Sequence, residues 1–326
     1  MPQLYVVEKA RRSYHLAVGE GHQIHVEEYG LEDGIPVLVC HGGPGSGLNP
    51  LSCRYYNPEH YRLILFSQRG CGLSTPHFEL QANTTAHLIA DIELLRTSLD
   101  IAHWMITGES WGATLALLYA IEYPDKVLGL LLRSTFLARK QDLHWLFGEL
   151  GAPAQAFPEQ FESFRASHHN VAATLEYYKH QLNMDDELAC IKAAKAWCEW
   201  ESVLSGMYPN HNADLHLVNK EKVLDVSRLE NHYFTHDFFI EDDFISNNID
   251  KLQYIPMWFL HGRQDLISPF AGVYHLTKKL SHNPNIKLDI LNDVGHSSEN
   301  INYANAIRIA SDMFYCLMIK RFKKGN

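Results

Sequence analysis

The sequence predicts an α/β protein: a mostly parallel, doubly wound sheet with a helical cap inserted into it. Three observations carry this. Short, wholly apolar runs at residues 37–40 and 63–66 lie between Gly, Pro and polar turns, as expected of parallel strands buried on both faces. They alternate with segments of helical period, the βαβ rhythm of a doubly wound sheet. That rhythm stops at about Phe136 and resumes after Asp250, so the expected order is core (1–135), cap (136–250) and core (251–326).

Each element has its own signal. Residues 14–18 and 23–29 read as an antiparallel hairpin turning at residues 19–21, where two glycines flank Glu20. Thr84 or Thr85 is placed to cap a helix whose Leu88, Ile89, Ile92, Leu95 and Leu99 share one face. A strand at 105–107, a helix from 111 to about 123 and a strand at 127–132 follow. Within the cap, segments such as 193–201 read as helices joined by loops. The last elements are a strand at 257–261, a helix near 270–280, a strand at 286–291 and a helix from about Tyr303, whose basic end at 320–324 is expected to be solvated.

Composition narrows the function. With 326 residues, 46% of them hydrophobic, the chain can bury a full core. A formal net charge of −10 is the opposite of what nucleic acids or anionic membranes attract. No apolar run approaches the ~20 residues that span a bilayer. Glu8, Lys9, Arg11 and Arg12 interrupt any signal-peptide core, and six scattered cysteines lack a C-x-x-C pair, so a cytoplasmic location with reduced thiols is expected. The twenty histidines include no H-E-x-x-H spacing, and neither a metal nor a cofactor is expected.

The chemistry starts at Gly108-Glu109-Ser110-Trp111-Gly112, a G-x-S-x-G placed where a strand ends and a helix begins. In that context the serine sits on a strained turn with its hydroxyl exposed; a chance match at a helix cap is the competing reading. A serine hydroxyl needs a base and an orienting carboxylate, in the chain order Ser, Asp, His. Asp265 follows the strand at 257–261, and His296 follows the next strand. Asp293, Asp242 and Asp243 compete for the acid, and His261 and His41 for the base, but chain order favours Asp265 and His296. The oxyanion requires two N–H donors, for which Trp111, after the nucleophile, and Gly43, in the glycine-rich loop 41–45, are the candidates. The loop's other readings are a flexible turn and a phosphate loop, although it lacks G-x-G-x-x-G and G-K-[ST].

These motifs together resemble the proline iminopeptidases of the α/β-hydrolase superfamily. The likeness runs through His41-Gly42-Gly43-Pro44-Gly45, Gln68-Arg69-Gly70-Cys71-Gly72, Asn83-Thr84-Thr85, Ser110-Trp111-Gly112, Gly262-Arg263 with Asp265, and Gly295-His296-Ser297. Trp197-Cys198-Glu199-Trp200-Glu201 and Leu229-Glu230-Asn231-His232-Tyr233-Phe234 are similar to two further family segments. The resemblance implies an α/β-hydrolase fold, a serine aminopeptidase acting on short peptides with a free N-terminus, and Glu201 and Glu230 as holders of the terminal amine. It also implies a proline pocket of Phe136 and Phe234, with Arg133 nearby. Without it, the two glutamates would read as solvated residues and the phenylalanines as core. Leu146 stands at an aromatic position of the family, which would loosen the preference for proline. Glu109 replaces a glycine, Ser67 an aspartate and Ser268 a cysteine. The rival functions are a broader aminopeptidase or small esterase on the same scaffold, and a binding protein without turnover.

Overall fold

In the computed structural model, residues 4–206 and 220–325 are described, the side chains of 220 and 323–325 excepted. Residues 207–219 of the expected cap, and the side chains of Lys323 and Lys324 in the basic end, therefore lie outside the described residues.

An eight-stranded sheet in the order β1-β2-β4-β3-β5-β6-β7-β8 forms the frame. β1 (Arg12–Gly19) and β2 (His22–Gly30) make the opening hairpin, and β2 runs antiparallel to β4 (Tyr61–Phe66). β3 (Ile35–Cys40), β5 (Trp104–Glu109), β6 (Val127–Arg133), β7 (Met257–Gly262) and β8 (Ile286–Leu291) complete a parallel array with β4. Every residue of β3, β6 and β7 is buried, which explains their unbroken apolar runs.

Alternate strand residues feed two packing layers. Leu38, Ile64, Ile106 and Leu130 face one layer, while Val37, Leu63, Met105 and Leu131 face the other. From β3 the chain moves to β4 on one side and later to β5 on the other. The C-terminal ends of β3 and β5 thus flank the switch point, where doubly wound sheets open a crevice.

Helix α1 (Thr85–Ser98) starts after Thr84, but the Thr84 hydroxyl contacts His87 Nδ1 at 2.8 Å and caps no helical N–H, which corrects the expected role. In α2 (Trp111–Glu122), residues 111–121 are all buried, the mark of a helix enclosed on every side. Between β6 and β7 come α3 (Lys140–Phe147), α4 (Ala152–Ala156), α5 (Pro158–Arg165), α6 (Val171–Leu182), α7 (Glu187–Leu204), α8 (Lys220–Thr235) and α9 (Phe244–Asn248). Asn170 and Asp186 cap α6 and α7 through their side chains.

These helices pack through aromatic contacts, among them Phe164 on Tyr178 at 4.8 Å and Trp197 on Phe234 at 5.9 Å between ring centres. α8 is tied to the sheet side by Tyr233 Oη donating to Asn83 Oδ1 at 2.9 Å. α10 (Phe270–Lys279) follows β7, and α11 (Ile301–Gly325) covers the second layer with Tyr303, Ile307, Phe314 and Met318.

Candidate active site

β5 delivers Ser110 at φ 56°, ψ −124°, a backbone conformation that non-glycine residues rarely occupy. The turn is held by the Ser110 N–H donating to the Arg133 carbonyl at 3.1 Å. The flanking glycines exist for closeness. A Cβ on Gly108 would lie 2.2 Å from the Gly112 carbonyl oxygen, and one on Gly112 would lie 2.2 Å from that of Cys40. Only bare backbone lets β3, β5 and α2 meet here, and the serine is thrust forward as a result.

Asp265 and His296 meet across the loops that follow β7 and β8. His296 Nδ1 lies 3.0 Å from Asp265 Oδ1 and 2.9 Å from Oδ2. Oδ1 also accepts the backbone N–H groups of Ile267 and Ser268, at 3.0 and 2.8 Å, which fixes the carboxylate. Burial alone would raise the Asp265 pKa. The charge and hydrogen bond of His296, with His261 and the Ser268 N–H, outweigh it and hold the carboxyl below its ordinary range. Burial disfavours the charged His296 ring, but Asp265, Glu109 and Glu201 reverse the sign and raise its pKa.

The competitors are engaged elsewhere or outside. His261 Nε2 is bonded to the Ser268 carbonyl at 2.9 Å. His41 accepts the Gln68 N–H at 2.9 Å, and burial lowers its pKa to about 4. Asp293 is exposed, and Asp242 accepts the Lys140 N–H.

Ser110 and His296 line one cavity of about 650 Å³. They make no direct hydrogen bond with each other among the described residues. Gly43 lines it too, at φ 104°, and a Cβ there would come within 2.6 Å of the Gly45 nitrogen. Trp111 opens α2, where the first N–H groups have no helical acceptor, while its indole donates to Gln68 Oε1 at 3.0 Å. Trp111 thus directly follows the serine turn, and Gly43 lines the cavity that Ser110 faces.

One end of the cavity carries Glu201 from α7 and Glu230 from α8. The two carboxyls are hydrogen-bonded to each other, and the Trp197 indole donates to Glu230 Oε2 at 2.6 Å. Burial raises the Glu201 pKa, against the opposing pull of the Glu230 hydrogen bond and the His296 charge. Burial, then the charge and hydrogen bond of Glu201, lifts Glu230 well above the carboxylate range. No Lys or Arg pairs with either carboxyl among the described residues. Phe136, Phe234 and Leu146 line the same end, with the two phenylalanine rings 6.4 Å apart.

Arg133 lines the cavity elsewhere, beside Glu109 at 3.2 Å and over the Tyr55 ring at 5.3 Å. Tyr55, Ser298 and Ile267 are lining residues that sequence reasoning missed. For Glu109 the signal was present, because opposite charges at the ends of adjacent parallel strands are natural partners.

The sheet, its switch point and the serine turn define an α/β hydrolase, and the model of the alpha/beta hydrolase fold family matches residues 35–298. A proline iminopeptidase of Arabidopsis thaliana is 37% identical over 319 residues, covering 97% of this chain and 83% of that one. One of Neisseria gonorrhoeae is 38% identical over 307 residues, covering 93% and 96%. The chain belongs to the proline iminopeptidase family of α/β hydrolases. In fold it is similar to the crystal structure of a proline iminopeptidase from Mycobacterium smegmatis, with a TM-score of 0.58 at 17% identity over 95% of this chain and 100% of that one. An alpha/beta fold family hydrolase from Bacillus anthracis superposes with a TM-score of 0.57 at 18% identity, covering 95% and 98%.

Proposed function

We propose that the chain is a serine aminopeptidase that releases N-terminal proline from short peptides through an acyl-enzyme. The observation that carries this reading is the buried Glu201–Glu230 pair, which shares the cavity of Ser110 and His296 and has no Lys or Arg paired to it among the described residues. An ammonium entering that end loses its hydration and needs carboxylates close by. A substrate without a free amine leaves the pair unsatisfied, which makes the enzyme an exopeptidase.

In this reading, His296 takes the proton of the Ser110 hydroxyl as its oxygen attacks the first residue's carbonyl carbon. Asp265 holds the ring so that Nδ1 carries its proton and stabilises the imidazolium. The N–H groups of Gly43 and Trp111 stabilise the oxyanion. The carbon–nitrogen bond then breaks, His296 protonates the leaving amine, and the acyl-enzyme remains. Water, deprotonated by His296, releases proline and restores Ser110. Phe136, Phe234 and Leu146 enclose the pyrrolidine ring, and Arg133 acts at the opposite side through Glu109.

We further propose a cytoplasmic location, supported by six cysteines that are all unpaired. No helix among the described residues is long and apolar enough to cross a membrane.

The test compares proline and alanine 4-nitroanilides with a 4-nitrophenyl ester. Proline is expected to be the best substrate; ester cleavage without release from either anilide would replace the aminopeptidase reading with an esterase. Labelling by a fluorophosphonate probe, abolished in Ser110→Ala, separates an enzyme from a binding protein without turnover.

A further inference from the structure

The cavity around Ser110 has two ends that belong to different layers of the molecule. Phe136, Leu146 and Phe234 pack in the layer on the α2 side of the sheet, and Glu201 and Glu230 stand at their end. Tyr55 packs in the opposite layer, under α11, and beside it stand Arg133, Glu109 and Ser298. His296 lines the same cavity, and both Glu109 and Glu201 favour its charged form.

Glu109 and Arg133 are register partners at the C-terminal ends of β5 and β6. Arg133 Nη1 is 3.2 Å from Glu109 Oε2, and the arginine side chain is only 3% exposed. The contact lies outside hydrogen-bond alignment, and Arg133 Nε finds no acceptor among the described residues. Glu109 is also the only carboxylate within ion-pair distance of this guanidinium among the described residues. Its own side chain is 24% exposed, with the Ser298 hydroxyl donating to Oε2 at 3.4 Å. The pair thus has one under-bonded, buried cation and one carboxylate whose free edge borders the cavity immediately before the nucleophile.

With the substrate amine at Glu201 and Glu230 and the scissile carbonyl at Ser110, the leaving residue is directed to the Glu109 end; this step rests on the aminopeptidase reading. In a free dipeptide the leaving residue brings a carboxylate two bonds from its amine, so it meets Glu109 as a like charge. Arg133, which shares this end, is already engaged by Glu109, while Arg54 lines the cavity beside it with Nη2 donating to the Tyr55 hydroxyl at 3.0 Å.

We propose that Glu109 is a specificity-determining residue for the leaving group. By occupying Arg133 and presenting its carboxylate beside Ser110, it makes the site favour amidated or longer peptides over free dipeptides.

The experiment measures kcat/KM for Pro-Gly and Pro-Gly-NH2, by released proline, with the full-length protein and Glu109→Gln at about pH 8. The native protein is expected to favour the amide by about tenfold or more, the scale of one partly screened like-charge contact. In Glu109→Gln, Arg133 loses its partner, and the preference is expected to swing toward the free dipeptide. Added salt should narrow the native ratio, a readout that needs no variant. A native ratio within about twofold of unity, insensitive to salt, would overturn the proposal, as would an unchanged ratio in a variant that keeps the native Tm. Release of proline from neither peptide, in protein that fluorophosphonate still labels, would instead remove the aminopeptidase reading and this inference with it.

Discussion

His296 Nδ1 contacts both carboxylate oxygens of Asp265, at 3.0 and 2.9 Å, while Asp265 is itself pinned by the N–H groups of Ile267 and Ser268. In Asp265→Asn, the amide oxygen can still accept those two N–H groups, which turns its NH₂ toward the ring. His296 would then hold the wrong tautomer. We expect kcat to fall by about 10³–10⁴ with little change in Tm. A loss under about tenfold would mean that this carboxylate does not orient the base.

The raised His296 pKa sets the acid side of the pH profile. The base works when neutral, so kcat/KM should rise with pH through a midpoint above the ordinary histidine value of about 6.5. Glu109 and Glu201 both favour the charged ring, so Glu109→Gln and Glu201→Gln should each move that midpoint down. An ester substrate gives the cleanest reading, and a midpoint that neither variant moves would contradict the electrostatic account.

Amine recognition separates two substrate classes. Glu201→Gln or Glu230→Gln should lower kcat/KM on proline 4-nitroanilide by about 10²–10³, from loss of a buried charged contact, and change a neutral ester only about threefold. Equal losses on both substrates would count against an amine site.

Glu230 also ties stability to pH. Its folded pKa is raised well above the unfolded value, so the folded chain retains a proton that the unfolded chain gives up. Stability is therefore complete below the unfolded carboxylate pKa of about 4.3 and declines as pH rises toward the folded value, by at most about 1.4 kcal/mol per pH unit. Glu230→Gln keeps an acceptor for Trp197 and removes the titrating carboxyl. The Tm of the variant relative to the native protein should rise between pH values of about 5 and 8 in thermal melts. A parallel pair of Tm curves would show that the carboxyl holds no extra proton.

Backbone closeness predicts the most damaging single methyl. In Gly112→Ala the new Cβ would press on the Cys40 and His41 carbonyl oxygens, which are main-chain atoms and cannot swing aside. A loss of about 3 kcal/mol or more, or failure to accumulate folded protein, is expected in denaturant melts. A variant of native stability would mean that the strands can separate here without cost.

Much of this was legible in residues because the rules behind it are local. Apolar runs with abrupt turns marked the parallel strands, and Gly108-Glu109-Ser110-Trp111-Gly112 marked the turn that β5 and α2 form. Asp265 and His296 could be proposed because strand ends gather at one edge. The opening hairpin is longer than its alternation suggested, starting at Arg12, because β1 is an edge strand with polar outer positions. The last helix likewise starts at Ile301, two residues early. The Thr84 hydroxyl turned to His87 because a histidine three residues on competes for it, a choice no propensity encodes. The mutual contact of Glu201 and Glu230 depends on how α7 and α8 face each other. Only the family resemblance pointed to it, since two glutamates on separate helices carry no spacing signal of their own.

Trp111 carries the last consequence. Its main chain forms the step after the serine, while its ring rests against Tyr233 at 5.0 Å and Phe238 at 6.2 Å, the former on the same helix as Glu230. The helix that carries Glu230 and the turn that carries Ser110 are thus braced on a single indole. A shift of α8 would therefore reach the serine turn as well, so that on the proposed reading a poorly seated peptide meets a blunted blade.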